Sequence, residues 1–376
     1  MMYQRYGLTS LQELLGGLLV YRNLRPLDAR LPGLAHLRER CALRPGAIPR
    51  KAEPGFACVV AEMLSSARCL DSPGARIRRL LYLGDTRMND GTAFENLCVA
   101  GQWPGWAFIG QDDPGQSALV KVADRLYVAN RWSALPEFLQ FLKTKGFPLD
   151  AETALVVDVD KTLVGARGRN DAVIDAARVE AVERTVERLL GQRFDATAFR
   201  QAYNELNQPA YHSFTEDNQD YLAYVCLVLG SGLFSARALA QEARSGEMRF
   251  VDWLARVETK REQLAVRGLL AVHDEIRERI REGDPTPFKA FRHNEYLCTI
   301  ARFGDVGDAA VEEILARRIC MTEEVARAIE VAREAGVLVF GLSDKPDEAS
   351  MPNDDQARTG LLPLHRLMAV RVGELQ

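Results

Sequence analysis

The middle of the chain carries an uninterrupted apolar run that ends in two aspartates. Residues 154–157 read Ala-Leu-Val-Val, and Asp158, Asp160 and Thr162 follow at alternate positions. A short apolar run without charge is typical of a strand buried on both faces, as in a parallel sheet. Alternate strand residues share a side, so we expect Asp158 and Asp160 together at the carboxyl edge, where open α/β sheets bind ligands. Two carboxylates there suit a hard cation and acid/base chemistry, although an isolated Asp-x-Asp pair can also be an ordinary turn.

The composition is that of an ordinary globular protein. The 376 residues are 47% hydrophobic and 27% charged, which allows a large core and two domains. The net charge of −4, without a basic tail, gives no reason to expect a nucleic-acid partner. No apolar segment is long enough to cross a bilayer, and the N-terminus lacks a signal-peptide pattern. The seven cysteines include no Cys-x-x-Cys pair and predict reduced thiols, so we expect a cytoplasmic protein without a membrane partner.

A second apolar run ends in a glycine and an aspartate. Residues 80–83 read Leu-Leu-Tyr-Leu, Gly84 and Asp85 follow, and Asp90 lies five residues beyond Asp85. Gly84 allows the chain to leave the strand in a tight turn, and the Asp85 carboxylate is a hard oxygen ligand. Asp90 is also a candidate N-cap of the following helix, a role compatible with orienting a ligand.

Lys51 and Ser343 are candidate ligands for an anion. Lys51 precedes Pro54, which suits the first turn of a helix, so the lysine charge and the helix dipole would both attract an anion. A solvated loop lysine is the alternative interpretation. Ser343 follows a third apolar run, residues 337–342, and its hydroxyl group can bind a phosphoryl oxygen.

These four motifs closely resemble those of the haloacid dehalogenase (HAD) superfamily, whose members are mostly phosphatases. The resemblance implies that Asp158 is the nucleophile, forming an aspartyl-phosphate, and that Asp160 is the general acid and base. It implies Mg²⁺ as the cofactor. The residues assigned to the metal site are Asp85, Asp90, Asp158 and Asp160, with Asp90 orienting Lys51 or a metal-bound water. The residues assigned to the phosphoryl group and the substrate are Lys51, Ser343 and Thr162.

The motifs occur in an unusual order. In the family the Asp-x-Asp motif comes first and the serine motif second, whereas here Lys51 and Asp85 precede Asp158. We interpret this order as a circular permutation, with the usual chain broken between the strand near residue 370 and Lys51. The expected fold is therefore α/β, with a Rossmann-like parallel-sheet HAD core in permuted order and an inserted all-helical cap domain. The expected segments are a helical N-terminal segment 1–45, core residues 46–173, the cap 174–318 and core residues 319–376.

The segment 174–318 is rich in helix formers and amphipathic runs. By the resemblance, it is a cap domain that selects a small phosphorylated substrate, with Gly165 and Gly168 as its hinge. Lys289 and Arg292 lie in a stretch of prolines, aromatics and cations and are candidate substrate contacts. An ordinary solvated loop is the alternative interpretation of this stretch.

We therefore expect a Mg²⁺-dependent phosphomonoester hydrolase that acts on a small phosphorylated metabolite. A phosphomutase or phosphotransferase of the same fold and a non-catalytic HAD-like binding protein are the alternatives. Lys161 stands where the family more often has glycine or asparagine, and we expect it to affect the leaving-group preference. Residues 1–45 contain a capping-box pattern at Ser10 and Glu13, and they could supply a homodimer contact.

Overall fold

The computed structural model describes residues 1–246 and 248–375. These residues form two compact units, of which the first contains Met1–Ala176 and the residues from Thr299 onward, and the second is Ala177–Cys298. Residues 299–318, which were expected in the helical insertion, belong to the first unit. Ile314 packs against Val370 and Val372 in a small apolar cluster of that unit, which accounts for this grouping.

The described strands and helices are as follows. The strands are β1 (Tyr3–Thr9), β2 (Leu19–Val20), β3 (Arg79–Gly84), β4 (Gly105–Gly110), β5 (Val120–Ala123), β6 (Leu126–Ala129), β7 (Thr153–Asp158), β8 (Met321–Thr322), β9 (Leu338–Leu342) and β10 (Ala369–Glu374). The helices of the first 190 residues are α1 (Leu11–Leu15), α2 (Leu34–Leu37), α3 (Pro54–Asp71), α4 (Thr92–Gly101), α5 (Leu135–Thr144) and α6 (Asp171–Leu190). The remaining helices are α7 (Ala196–Leu206), α8 (His212–Thr215), α9 (Gln219–Gly230), α10 (Ala236–Arg244), α11 (Phe250–Glu258), α12 (Arg261–Val266), α13 (Leu270–Arg281), α14 (Lys289–Ile300), α15 (Val311–Arg317), α16 (Glu323–Glu334) and α17 (Asp354–Arg358).

The first unit is built around a seven-stranded sheet in the order β2-β9-β7-β3-β4-β6-β5. Neighbouring strands are parallel except for β5 and β6, which are antiparallel. Strand β7 lies between β9 and β3, and all six of its residues are buried, as the apolar run predicted. The protein is therefore an α/β protein with a mostly parallel sheet, a fold compatible with a Rossmann-like core.

Helices cover both faces of this sheet. Leu155 and Val157 of β7 belong to one apolar cluster, which includes residues of α5 and α16. Ala154 and Val156 belong to another, which includes residues of α3 and α4. Successive side chains of β7 thus point to opposite faces of the sheet, and each face packs against its own layer of helices. Both faces of the strand are apolar for that reason.

The sheet positions of two strands near the ends of the chain were not predicted. The last strand, β10, does not continue the main sheet but pairs with β1 and β8 in a separate three-stranded sheet. The strand beside β9 is instead β2, in the N-terminal segment that was expected to be helical. Two residues of strand are too few to give a period in the sequence, and the pairing with β9 determines their conformation.

The second unit is helical and has its own apolar core. The core is centred on α9, in which every residue from Leu222 to Leu229 is buried. Among the described residues, every helix is too short or too polar to cross a bilayer.

The expectation that all cysteines are reduced is wrong for one pair. Cys41 follows α2, Cys58 lies in the second turn of α3, and the two sulfur atoms form a disulfide. The other five cysteines are not disulfide-bonded. The fold brings Cys41 and Cys58 together across a loop, and a separation of 17 residues without a flanking motif gave no signal in the sequence.

Candidate active site

The carboxyl ends of three adjacent strands gather the polar residues that the sequence singled out. Asp158 is the last residue of β7, Asp85 directly follows β3, and Ser343 directly follows β9. Lys51 comes from the turn that precedes α3. All four side chains are buried, although polar groups of this kind are normally exposed. Their burial requires that they satisfy one another's charges and hydrogen bonds.

Lys51 connects two carboxylates. Its Nζ donates to Oδ1 of Asp90 at 2.6 Å and also to Oδ1 of Asp158, and it lies 5.7 Å from the ring centroid of Tyr82. Burial alone would lower the pKa of Lys51, but the negative charges of Asp158 and Asp90 outweigh it and raise this pKa. Lys51 therefore stays an ammonium ion at the centre of the site.

Asp90 is saturated with hydrogen bonds. Oδ1 accepts from Lys51 and from the Tyr82 hydroxyl group at 3.1 Å, while Oδ2 accepts from the backbone N–H groups of Asp85 and Thr86 and from the Thr86 hydroxyl group. Burial opposes ionisation, but Lys51 and these donors together lower the pKa of Asp90. A side chain at Gly84 would collide with Asp90, because a Cβ atom there would lie 2.5 Å from that of Asp90. These contacts suit Asp90 better to orienting Lys51 than to direct metal ligation.

Thr162 contacts Asp158. The Thr162 hydroxyl group donates to Oδ2 of Asp158 at 2.7 Å, and its backbone carbonyl accepts from the hydroxyl group of Thr322 at 2.5 Å. Burial raises the pKa of Asp158, Lys51 opposes that effect, and Asp90 and Asp85 add to it. Thr162 is completely buried, so its contacts fit orientation of Asp158 better than the substrate contact that the sequence suggested.

Asp160 and Ser343 form a second pair. The Ser343 hydroxyl group donates to Oδ2 of Asp160 at 2.5 Å and accepts from the backbone N–H of Lys345 at 3.1 Å. Asp160 is half-buried, whereas Asp158 is only 4% exposed. The two aspartates of the central motif therefore lie in different surroundings, so burial affects their ionisation to different extents.

Sequence reasoning missed Arg167, which contacts Asp85. Nε of Arg167 donates to Oδ2 of Asp85 at 2.6 Å. Burial and the nearby Asp90 raise the pKa of Asp85 to about 7, while Arg167 acts in the opposite direction. Arg167 lies in the loop that was interpreted as a hinge, 82 residues from Asp85, so no local pattern indicated the contact.

The loop that carries Arg167 is held tightly. Gly165 and Gly168 have φ values of +66° and +77°, and a Cβ at Gly168 would lie 1.8 Å from the carbonyl oxygen of Asp112. The backbone N–H of Arg167 donates to the carbonyl of Lys161 at 2.8 Å. Positive φ and close packing therefore account for both glycines without a hinge motion.

The oxygen ligands fit a hard divalent cation. Carboxylate oxygens of Asp85, Asp90 and Asp158 all lie within 4.8 Å of one another and are buried. When ionised, these carboxylates carry three negative charges. The neighbouring Lys51 and Arg167 carry two positive charges, so the net charge of the group is −1. Mg²⁺ prefers a set of oxygen ligands with a net negative charge.

Lys289 and Arg292 have partners within the helical unit. Arg292 is buried and bonds Oδ2 of Asp220 and Oε2 of Glu295, the latter at 2.6 Å. Nζ of Lys289 lies 2.8 Å from Oδ2 of Asp284. These ion pairs explain both residues without a substrate.

The fold and this cluster define an α/β protein with a buried, mixed-charge site at the carboxyl edge of a parallel sheet. Comparisons with protein-family models, with curated proteins and with solved structures gave no match to the chain. The chemistry of the side chains at the sheet edge is therefore the basis for assigning a function.

Proposed function

We propose that this protein is a HAD-type phosphomonoester hydrolase that uses Mg²⁺ and acts on a small phosphorylated metabolite. The observation that carries the proposal is the position of Lys51, which bonds both Asp158 and Asp90 beside Asp85. A nucleophilic carboxylate, a fixed cation and a group of hard oxygen ligands are the parts that phosphoryl transfer requires.

The strand order supports a permuted HAD core. The strands that lead to Ser343, Asp158 and Asp85 are the adjacent β9, β7 and β3, although the chain reaches them in a different order. Because β2 lies next to β9, an unpermuted chain would run from β9 into β2 and on to Lys51. We therefore infer that, within the main sheet, the break of the permuted chain falls between β9 and β2, because β10, the strand near residue 370, belongs to the other sheet. We also infer that the helical unit Ala177–Cys298 is the cap that selects the substrate.

In this proposal Asp158 attacks the phosphorus atom while Lys51 and Thr162 hold its carboxylate in position. The ester oxygen leaves with a proton from Asp160, which produces an aspartyl-phosphate and the free alcohol. Asp160 then removes a proton from water, which attacks the phosphorus and releases Asp158 and inorganic phosphate. Lys51 donates a hydrogen bond to a phosphoryl oxygen, and the Ser343 hydroxyl group, which donates to Asp160 in the structure, turns to donate to a phosphoryl oxygen instead.

Asp158 and Asp85 would hold the metal ion, and Asp90 would keep Lys51 oriented beside it. Bound there, Mg²⁺ supplies positive charge that offsets the repulsion between the Asp158 carboxylate and the phosphoryl group.

The test is hydrolysis of p-nitrophenyl phosphate and of a panel of small phosphate esters. We expect Asp158→Asn to abolish turnover while circular dichroism stays that of the folded protein, and EDTA to stop the wild-type reaction until Mg²⁺ is added. Asp124→Asn is the matched control, because its side chain is 79% exposed and lies outside the site. An active Asp158→Asn variant, or full activity in EDTA, would contradict the proposal. Transfer of phosphate to added glycerol in preference to water would identify a phosphotransferase instead.

A further inference from the structure

The guanidinium group of Arg167 carries N–H donors beside the acidic cluster that the described protein groups do not use. Its side chain is 32% exposed, and only Nε donates to a protein group, Oδ2 of Asp85. Among residues 1–246 and 248–375, neither Nη nitrogen of Arg167 has a protein hydrogen-bond partner. A guanidinium group carries five N–H donors in a planar fork, so most of the hydrogen-bonding capacity of Arg167 remains for a ligand.

Arg169, two residues further on, provides the contrast. Its guanidinium group bonds Asp112, Glu324 and the carbonyl of Val372, and its side chain is 1% exposed. Four of its five N–H groups donate to these partners and its side chain is buried, so Arg169 holds the fold together. Of these two arginines, only Arg167 faces solvent beside the acidic cluster.

The backbone fixes where the Arg167 side chain begins. The carbonyl of Arg167 accepts from the backbone N–H of Asp112 at 2.9 Å and from Nε1 of Trp132 at 3.2 Å. Together with the bond from its N–H to Lys161, these contacts hold the residue on both sides of its Cα atom. The fixed backbone and the bond from Nε to Asp85 together restrict the directions in which the Nη groups can point.

The ligand that fits this group is a phosphoryl group. Arg167 bonds the Asp85 carboxylate, which offers an oxygen within 4.8 Å of one on Asp158, so the guanidinium group borders the acidic cluster that contains the proposed nucleophile. A planar fork of N–H donors binds two oxygens of a phosphate at once, which an ammonium ion cannot do. We propose that Arg167 binds the phosphoryl oxygens of the substrate and of the phosphate product through its Nη groups.

This inference rests on the proposed function of the site, and it has a specific rival. Arg167 could serve only to neutralise Asp85 until a metal ion takes its place. In that case its removal would strengthen binding of Mg²⁺ and leave binding of phosphate unchanged. The two roles therefore predict different results for phosphate, whose binding can be titrated separately from that of Mg²⁺.

The experiment is calorimetric titration of the full-length protein with inorganic phosphate in the presence of Mg²⁺, and separately with Mg²⁺ alone. We expect Arg167→Ala to weaken phosphate binding about tenfold or more, with Mg²⁺ affinity unchanged or improved. Arg167→Lys keeps the charge but not the fork, and we expect an intermediate loss. Arg87→Ala, which removes an arginine that is 68% exposed in the turn after β3, should bind phosphate as the wild type does.

Two results would overturn the inference. One is an Arg167→Ala variant that binds phosphate with wild-type affinity, and the other is a loss of phosphate binding that merely follows a loss of Mg²⁺ binding. If the wild-type protein hydrolyses phosphate esters while either result holds, only the role of Arg167 fails. If the wild type binds no phosphate and hydrolyses no ester, the proposed function fails as well.

Discussion

Nζ of Lys51 lies 2.6 Å from Oδ1 of Asp90, a residue 39 positions further along the chain. The same nitrogen also bonds Asp158, so one cation compensates two buried carboxylates. We expect Lys51→Met to lower the free energy of unfolding by about 3 kcal/mol, because both carboxylates would then be buried without their partner. Urea unfolding in EDTA measures this change, with Lys143→Met on the exposed side of α5 as the control.

A double variant tests whether the loss at Lys51 is electrostatic. Adding Asp158→Asn to Lys51→Met removes one of the uncompensated charges, so we expect the double variant to be more stable than Lys51→Met alone. If the two losses were simply additive, the destabilisation would come from packing and not from charge.

A divalent cation should stabilise the protein through the acidic cluster. Asp85, Asp90 and Asp158 repel one another, and a ligand that binds only the folded state raises stability by about 2.7 kcal/mol at one hundred times its Kd. We expect Mg²⁺ to raise the melting temperature of the wild type in a concentration-dependent way. Asp85→Asn should lose most of this rise, and an equal rise in both proteins would show that the cation binds elsewhere.

The sequence predicts the centre of this site well because each residue there has a local signal. Asp158, Asp85 and Ser343 each end an apolar strand, and Lys51 comes just before a helix that begins at a proline. Parallel strands bring their carboxyl ends to one edge, so three local signals are enough to predict one cluster.

The residues that the sequence missed have no local signal. Tyr82 is a fully buried residue of β3 and resembles any other core aromatic, although its hydroxyl group bonds Asp90. Arg167 finds its partner Asp85 only after the sheet has formed. The positions of β2 and β10 were missed for the same reason, because the choice between two sheets depends on distant strands.

The Cys41–Cys58 disulfide predicts a definite thiol count. Of the seven cysteines, five should react with a thiol reagent in denaturant without reductant, and all seven should react after reduction. The bond closes the loop that carries Lys51, so we expect Cys41→Ser with Cys58→Ser to lower the free energy of unfolding by about 2–4 kcal/mol. Seven reactive thiols without reductant would mean that the two sulfur atoms are not bonded in solution.

His365 should make stability depend on pH. It is buried, its ring lies 3.4 Å from the Tyr21 hydroxyl group, and burial, aided by the charge of Arg366, lowers its pKa to about 4. In the unfolded chain the pKa of this histidine is near 6.5. Between pH 4 and 6.5 the unfolded chain therefore binds a proton at His365 that the folded chain does not bind. The contribution of neutral His365 to the free energy of unfolding is therefore fully present above pH 6.5 and decreases as the pH falls. We expect it to decrease by about 2 kcal/mol between pH 7 and pH 5.

Comparison with His365→Gln isolates this effect from the carboxyl groups that titrate at lower pH. Urea unfolding at pH 7 and pH 5 should give a larger loss for the wild type than for the variant. Equal losses in both proteins would mean that His365 takes up its proton as easily in the folded state as in the unfolded chain.

Lys161 holds a backbone conformation that favours glycine. Its φ is +65°, in the left-handed region, and its Nζ lies 2.8 Å from a carboxylate oxygen of Asp175. The left-handed conformation costs a residue with a Cβ atom about 1 kcal/mol, whereas an ion pair this exposed contributes less than that. We therefore expect Lys161→Gly to be more stable than Lys161→Ala by about 1 kcal/mol, although glycine normally destabilises relative to alanine. Both variants lose the same ion pair, so the difference between their urea midpoints reports the backbone alone. An alanine variant as stable as the glycine variant would mean that Lys161 does not occupy the left-handed region in solution.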